Sequence, residues 1–104
     1  MEERRIESRL VKAIRAMHGL CFKFTSPGNA GVPDRIILLP PLPGQSEGRI
    51  TFVELKAEGG TLSPRQRVQI RRIRALGFRV EVLTGMDEVR VFIDSLQGGG
   101  DRTG

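Results

Sequence analysis

The segment ITFVELKA, residues 50–57, is rich in β-branched and aromatic residues, and this composition predicts a strand in the interior of a sheet. Because side chains alternate between the two faces of a strand, Phe52, Glu54 and Lys56 share one face, and mostly apolar residues share the other. A carboxylate and an ammonium side by side in such a strand form either a structural ion pair or part of an active site. The segment alone leaves both interpretations open.

The segment that follows predicts a helix with a defined start. Ser63 suits the N-cap, Pro64 suits the first helical position, and Gln66 lies three residues after the cap, where it completes a capping box. The helix is expected to run to about Leu76 and to stop at Gly77.

The other elements follow from apolar periodicity and from the turn residues between them. Helices are expected at about residues 2–17, with Gly19 as the stop, and at about residues 86–96, and strands are expected at residues 20–24, 34–39 and 78–84. Short connections predict antiparallel pairing of the first three strands, and the helix before the fourth strand predicts a parallel crossover. The fold class is therefore α/β, in the order α-β-β-β-α-β-α, with a mixed four-stranded sheet flanked by helices.

Composition limits both the organisation and the chemistry. A chain of 104 residues with 38% hydrophobic residues suits one domain, expected over residues 1–96, with a flexible glycine-rich tail at residues 97–104. One cysteine and the lack of a long apolar run favour a cytoplasmic protein without a membrane span. One histidine and no tyrosine exclude nuclease sites built on histidine or tyrosine pairs and a Cys/His zinc site. The net charge of +5 favours a polyanionic partner.

Asp34 opens the second predicted strand, directly after Gly31-Val32-Pro33. Aspartate is common in turns, so a purely structural role is one interpretation. The other is that Asp34 is an acidic partner of Glu54, held at the start of the neighbouring strand.

These residues carry a family resemblance. Pro33-Asp34 followed by Glu54-Leu55-Lys56 resembles the PD-(D/E)xK nuclease motif, and the element order agrees with the restriction-endonuclease-like core of that superfamily. The segment from Gly31 to Asp34, together with LSPRQ at residues 62–66, is similar to the VRR-NUC family of virus-type replication-repair nucleases, in its stand-alone, phage-like form. The similarity extends from residue 7 to about residue 93.

The resemblance implies a metal-dependent active site. Asp34, Glu54 and the backbone carbonyl of Leu55 would bind Mg²⁺ or Mn²⁺, and oxygen ligands suit both ions. Lys56 would act on the attacking water or stabilise transition-state charge, and the electrostatic role is the simpler one. No organic cofactor is expected.

Two further residues are candidates for the site. Glu7 falls within the apolar sector of the first helix, so it is either paired with a nearby arginine or part of the acidic cluster, where the family has a glutamate and where it would be a further metal ligand. Gln66 is either a capping residue alone or an active-site contact, since the family pattern has a glutamine there.

Arginines cover the first and second helices. Such runs are either solvated surface or contacts to DNA phosphates, which give affinity without base readout. The candidate DNA-binding residues are Arg9, Lys12, Arg65, Arg67, Arg71 and Arg74.

The sequence thus predicts a Mg²⁺- or Mn²⁺-dependent DNA endonuclease, selective for branched DNA structure such as junctions or flaps rather than for sequence. The alternatives are a catalytically silent nucleic-acid-binding module on the same fold and a basic interaction protein with an accidental motif. A homodimer is expected, because one small chain carries one site and duplex DNA has two strands. Its candidate surfaces are the apolar stripe of the last helix (Val89, Phe92, Ile93 and Leu96) and the proline loop at residues 40–43, although the stripe could equally pack on its own sheet.

Overall fold

The computed structural model describes residues 2–98, which contain three helices and four strands. The helices are α1 (Glu2–Ala16), α2 (Pro64–Ala75) and α3 (Gly85–Gly98), and the strands are β1 (Leu20–Lys23), β2 (Arg35–Leu39), β3 (Arg49–Lys56) and β4 (Arg79–Thr84). The predicted element order is confirmed, with bounds shifted by one or two residues.

The strands form one mixed sheet in the order β1-β2-β3-β4. β1 pairs with β2 and β2 with β3 in antiparallel fashion, whereas β3 and β4 are parallel. Both predicted pairing modes are therefore confirmed. The central position of β3 explains why its sequence is so apolar, since it has a neighbour on each side.

One face of the sheet forms the core with α1 and α3. The fully buried side chains include Ile6, Leu10 and Ile14 of α1 and Ile37 and Val53 of the sheet. The stripe of α3 that the sequence offered as a dimer surface, Val89, Phe92, Ile93 and Leu96, is at most 9% exposed and belongs to this core. The apolar side of this amphipathic helix is thus buried against its own sheet.

The other face of the sheet is only partly covered. Helix α2 packs on this face against β4, with Ile70 as its buried residue. Four large apolar side chains remain 43–51% exposed: Leu20, Phe22, Ile50 and Phe78. Leu20 and Ile50 both lie beside Leu38 in the register, so they share a face. We call these four residues the open sheet face.

The end of α1 differs in detail from the sequence-based expectation that Gly19 is its stop. The residue in the left-handed conformation is His18, with φ of 65°. Gly19 is required for another reason: a Cβ there would lie 2.5 Å from the carbonyl oxygen of Leu38, so glycine permits the close approach of α1 to β2.

The predicted tail at residues 97–104 is only partly within the described residues. Gln97 and Gly98 belong to α3, so the helix extends further than its apolar periodicity indicated, and residues 99–104 lie outside the described part. Among the helices of residues 2–98, none is long and apolar enough to cross a membrane.

Candidate active site

Asp34 and Glu54 lie side by side at one end of the sheet. The antiparallel register pairs Arg35 with Val53, which puts the preceding Asp34 opposite Glu54. The Oδ2 atom of Asp34 accepts a hydrogen bond from the backbone N–H of Leu55 at 3.2 Å. The two acidic residues of the predicted motif, separated by twenty positions in sequence, are therefore brought together.

The loop before Asp34 is held against the start of α2 by a glycine. Gly31 has a φ of 93°, and a Cβ on it would lie 2.7 Å from the carbonyl carbon and oxygen of Arg65. Both the conformation and the close approach therefore require glycine. The side chain of Gln69 also donates a hydrogen bond to the carbonyl of Ala30 at 3.3 Å. The loop that ends in Asp34 and the helix start that carries Gln66 thus form one packed unit.

Glu54 is a carboxylate with one satisfied and one unsatisfied oxygen. The residue is 2% exposed. Its Oε2 accepts a hydrogen bond from Gln66 Nε2 at 2.9 Å and lies 3.5 Å from Lys56 Nζ. Its Oε1 is buried without a hydrogen-bond partner among the described residues. A buried carboxylate oxygen without a donor is costly for the protein alone.

Burial, and after it the neighbouring charge of Asp34, raise the pKa of Glu54 to about 7, against the opposing effect of Lys56. A carboxyl group with this pKa carries its charge only part of the time near neutral pH. A bound cation would favour the charged form and give Oε1 a partner. The Glu54 carboxylate therefore has the properties expected of a metal ligand.

The donor set fits a hard divalent cation. Asp34 and Glu54 supply carboxylate oxygens, and within residues 2–98 no group of three or more acidic, histidine or cysteine side chains assembles around them. Mg²⁺ keeps several waters and is often held by one or two carboxylates together with substrate phosphate. Two carboxylates at a sheet end therefore fit such an ion.

Glu7 is paired with an arginine and also lies at the cavity that contains Asp34. Its Oε2 accepts hydrogen bonds from Arg35 at 2.6 Å to Nη2 and 3.1 Å to Nε, so the arginine pair is present. It also lines the same cavity as Asp34 and Leu55, a space of about 400 Å³. Glu7 is thus at the site, although the structure brings no direct contact between Glu7 and the two central carboxylates.

Arg4 and Lys23 also line this cavity, and the sequence did not single them out for catalysis. Lys23 pairs with Arg35 in the β1–β2 register, one residue from Asp34. Its position at the site becomes visible only when that register is known. The only sequence signal was a positive charge at the end of a strand.

Gln66 is both a capping residue and a site residue. Its Oε1 accepts the backbone N–H of Ser63 at 2.8 Å, and Ser63 Oγ accepts the N–H of Gln66 at 3.2 Å, which confirms the predicted capping box. The other end of the same amide donates to Glu54. The capping bond fixes the amide so that its N–H₂ group points at the carboxylate.

The candidate DNA-binding residues divide into two groups. Arg9, Lys12, Arg65, Arg67 and Arg71 are exposed, and none of them is within salt-bridge distance of an acidic group that the structure describes. Arg74 instead donates to the carbonyl of Val80, at 2.7 Å from Nη2 and 3.3 Å from Nε. It therefore ties α2 to the edge strand β4, a structural role that its exposed helical position did not reveal.

Comparison with known proteins agrees with this geometry. The VRR-NUC domain family matches residues 2–87. A protein named "Putative nuclease p44", from Acyrthosiphon pisum secondary endosymbiont phage 1, is 42% identical over 87 residues, which cover 84% of this chain and 87% of that protein.

Two solved structures are also similar. One, described as a VRR_NUC domain, superposes with a TM-score of 0.79 at 29% identity and covers 90% of this chain and 96% of its own. Another, a VRR_NUC domain protein, has a TM-score of 0.63 at 18% identity over 93% of this chain and 86% of its own, and supports the fold alone. The mixed sheet, the paired carboxylates and these matches lead to one conclusion: the chain belongs to the VRR-NUC family of nucleases.

Proposed function

We propose that this protein is a Mg²⁺- or Mn²⁺-dependent DNA endonuclease that hydrolyses phosphodiester bonds at the Asp34–Glu54 pair. The observation that carries the proposal is the state of Glu54, a buried carboxylate next to a second carboxylate, with Oε1 unsatisfied and Oε2 shared by Gln66 and Lys56. Such an arrangement costs stability in the protein alone, and this cost is expected where a carboxylate serves a cation.

Each residue has a defined task in the proposed site. Asp34 and Glu54 hold the ion, which when bound neutralises phosphate charge and lowers the pKa of water. Lys56, with Nζ near Glu54 and a side chain 21% exposed, is placed to contact a negatively charged phosphate oxygen or to orient water. Gln66 positions Glu54. Glu7 and Arg35 fix the wall of the cavity next to Asp34.

The proposed substrate is DNA, recognised by its structure and backbone rather than by its bases. The exposed arginines of α1 and α2 supply phosphate contacts, which do not depend on sequence. Only five phenylalanines and no tyrosine or tryptophan are present, so base stacking has few aromatic residues to rely on. Branched DNA offers phosphates in more directions than plain duplex does, which suits cations on two separate helices.

The proposed function is tested on a set of labelled DNAs of equal sequence content: duplex, nicked duplex, flap and four-way junction. Cleavage is measured with Mg²⁺, Mn²⁺ or EDTA. We expect cleavage only with a metal and faster cleavage of at least one branched form. Binding without cleavage under all conditions would instead identify a silent nucleic-acid-binding module.

We further propose that the protein acts as a homodimer through the open sheet face. Half-exposed side chains of this size present about 400 Å² of apolar surface in total, against about 800 Å² per partner in a standard interface. The patch is thus large enough for the apolar centre of an interface whose rim is polar. We propose a second copy of the same chain as the partner, because each chain carries one active site and two sites are needed to cut both strands of a duplex.

A further inference from the structure

A second cavity lies between α1 and the start of α3, separate from the cavity at Asp34. It is lined by Arg5, Ser8, Arg9, Lys12 and Met86, and its volume is about 430 Å³. We call it the α1–α3 cleft. Three of its five lining residues are cationic, and a serine hydroxyl adds a neutral donor. A cleft with this lining is suited to a phosphate group.

The cations of the cleft are not used by the fold. Neither Arg5, Arg9 nor Lys12 is within salt-bridge distance of an acidic side chain that the structure describes. In contrast, Arg35 and Arg79 are each paired with a glutamate. The described acidic residues of α1, Glu3 and Glu7, line the Asp34 cavity instead. Positive charge in the cleft is therefore available to a ligand.

The cleft and the Asp34 cavity lie on either side of the exposed surface of α1. With 3.6 residues per turn, the residues that line the two cavities fall on opposite flanks of the helix. Arg4 lines the Asp34 cavity, and Arg5, Arg9 and Lys12 line the cleft. The exposed side of α1 between the two cavities therefore carries positive charge. A helix with its side chains is about 10–12 Å in diameter, which sets the scale of the separation between the two cavities.

This distance matches a short run of nucleic-acid backbone. A strand advances about 3.4 Å per nucleotide along the helix axis, and its phosphates also wind about that axis, so 10–12 Å spans at most about three nucleotides. A backbone bound at Asp34 could therefore cross α1 and place a later phosphate in the cleft. The same strand would contact the Asp34 cavity and the α1–α3 cleft at once.

We propose that the α1–α3 cleft binds a backbone phosphate of the substrate strand within about three nucleotides of the bond that is cut. The proposal rests on the proposed nuclease function and adds to it a register between the active site and a second phosphate site. Arg5 and Arg9 are the principal contacts, Lys12 and Ser8 complete the site, and none of them takes part in the chemical step.

The first test compares DNA binding in EDTA, where no cleavage occurs. The double variant Arg5→Gln/Arg9→Gln is measured against the wild type and against Arg79→Gln/Arg90→Gln, which removes two charges from residues paired with acids on their own elements. Each lost phosphate contact lowers the slope of log affinity against log salt by about 0.9. We expect the slope of log affinity against log salt to fall by one to two times this amount for the cleft variant and to stay at the wild-type value for the control variant. Equal slopes for the two double variants would overturn the proposal.

The second test uses substrate length. On a long substrate the cleft variant should have a KM raised about tenfold, with a single-turnover rate within about twofold of the wild type. Substrates are then truncated on either side of the mapped cleavage position. When all nucleotides beyond the cleaved bond are removed on one side, the KM of the wild type should approach that of the variant. A difference in KM that persists after such truncation on either side contradicts the register. An inactive wild type would defeat the proposed nuclease function, whereas the binding test of the cleft would stand independently.

Discussion

At the scale of single residues, Glu54 is where stability and function are opposed. It is 2% exposed, its Oε1 lacks a hydrogen-bond partner among the described residues, and its pKa is raised to about 7. A residue selected for stability alone would be apolar or neutral at this position in β3. A carboxylate at this position is what the proposed metal site would require.

Replacing Glu54 with glutamine should separate these two properties. Glu54→Gln removes the buried charge but keeps an oxygen that can accept the bond from Gln66. We expect cleavage to fall at least a hundredfold, while Tm at pH 8 rises by about 4 °C or more, since 1 kcal/mol corresponds to about 4–8 °C in a domain of this size. The control is Glu47→Gln in an exposed loop, which should change neither quantity. A variant with lower stability and intact cleavage would show that Glu54 is structural.

The raised pKa of Glu54 also predicts how stability depends on pH. Between its ordinary pKa of 4.5 and about 7, the folded state binds more protons than the unfolded state, so the free energy of unfolding falls as pH rises through this window. The fall is on the order of 2–3 kcal/mol and levels off above pH 7. Binding of Mg²⁺ requires the ionised carboxylate. Thermal unfolding should therefore show stabilisation by Mg²⁺ at pH 8 and little or none at pH 5.5, and equal stabilisation at both pH values would contradict the assignment.

At the scale of elements, the start of α2 links helix capping to the active site. Gln66 accepts a hydrogen bond from the Ser63 N–H and donates one to Glu54, and Gly31 brings the loop before Asp34 against the same turn. The cap thus does more than begin a helix. It sets the position of one donor to the buried carboxylate.

Variants at Ser63 and Gln66 should distinguish capping from positioning. Ser63→Ala should cost about 1 kcal/mol of stability and leave activity, measured well below Tm, within about twofold. Gln66→Ala loses the donor to Glu54 as well, so we expect activity about tenfold lower and the pH midpoint of Mg²⁺ binding shifted upward, because the charged carboxylate loses a hydrogen bond. If both variants lose stability equally and keep the same pH midpoint, Gln66 acts only as a cap.

The elements themselves were predictable from the sequence, and several contacts between them were not. The strand at residues 50–57 and the capping signal at Ser63 are local patterns, and the structure confirms both. The place of Lys23 beside Asp34 depends on the β1–β2 register, which no local pattern specifies. The two hydrogen bonds from Arg74 to the Val80 carbonyl were not predictable either, because in the sequence Arg74 looks like the other arginines of α2.

At the scale of the whole molecule, the sheet has two unequal faces. α1 and α3 cover one face completely, whereas α2 covers the other only in part. The sequence pointed to the α3 stripe and to the proline loop at residues 40–43 as dimer surfaces. The stripe belongs to the core and the loop is exposed. The open sheet face that we propose instead was not among the predicted surfaces, because periodicity alone does not show which face of a sheet is left uncovered.

The proposed dimer predicts a specific response to loss of one exposed ring. Phe22 is 51% exposed on the open sheet face, and Val91, 68% exposed, lies on α3 away from it. In sedimentation experiments at micromolar concentration we expect a dimer for the wild type and for Val91→Ser, and a monomer with an unchanged circular dichroism spectrum for Phe22→Ser. A wild-type monomer, with and without a four-way junction, excludes the dimer.

The central claim is that Asp34 and Glu54 form the metal site of a DNA nuclease, and one measurement tests it most directly. Asp34→Asn and the wild type are purified in parallel, and their cleavage of a four-way junction is followed in Mg²⁺ and in Mn²⁺, with DNA affinity measured in EDTA. We predict that the variant loses at least a hundredfold in cleavage rate with either metal while its DNA affinity stays within about threefold. Cleavage by Asp34→Asn at the wild-type rate would contradict the account, since catalysis would then lie elsewhere in the molecule.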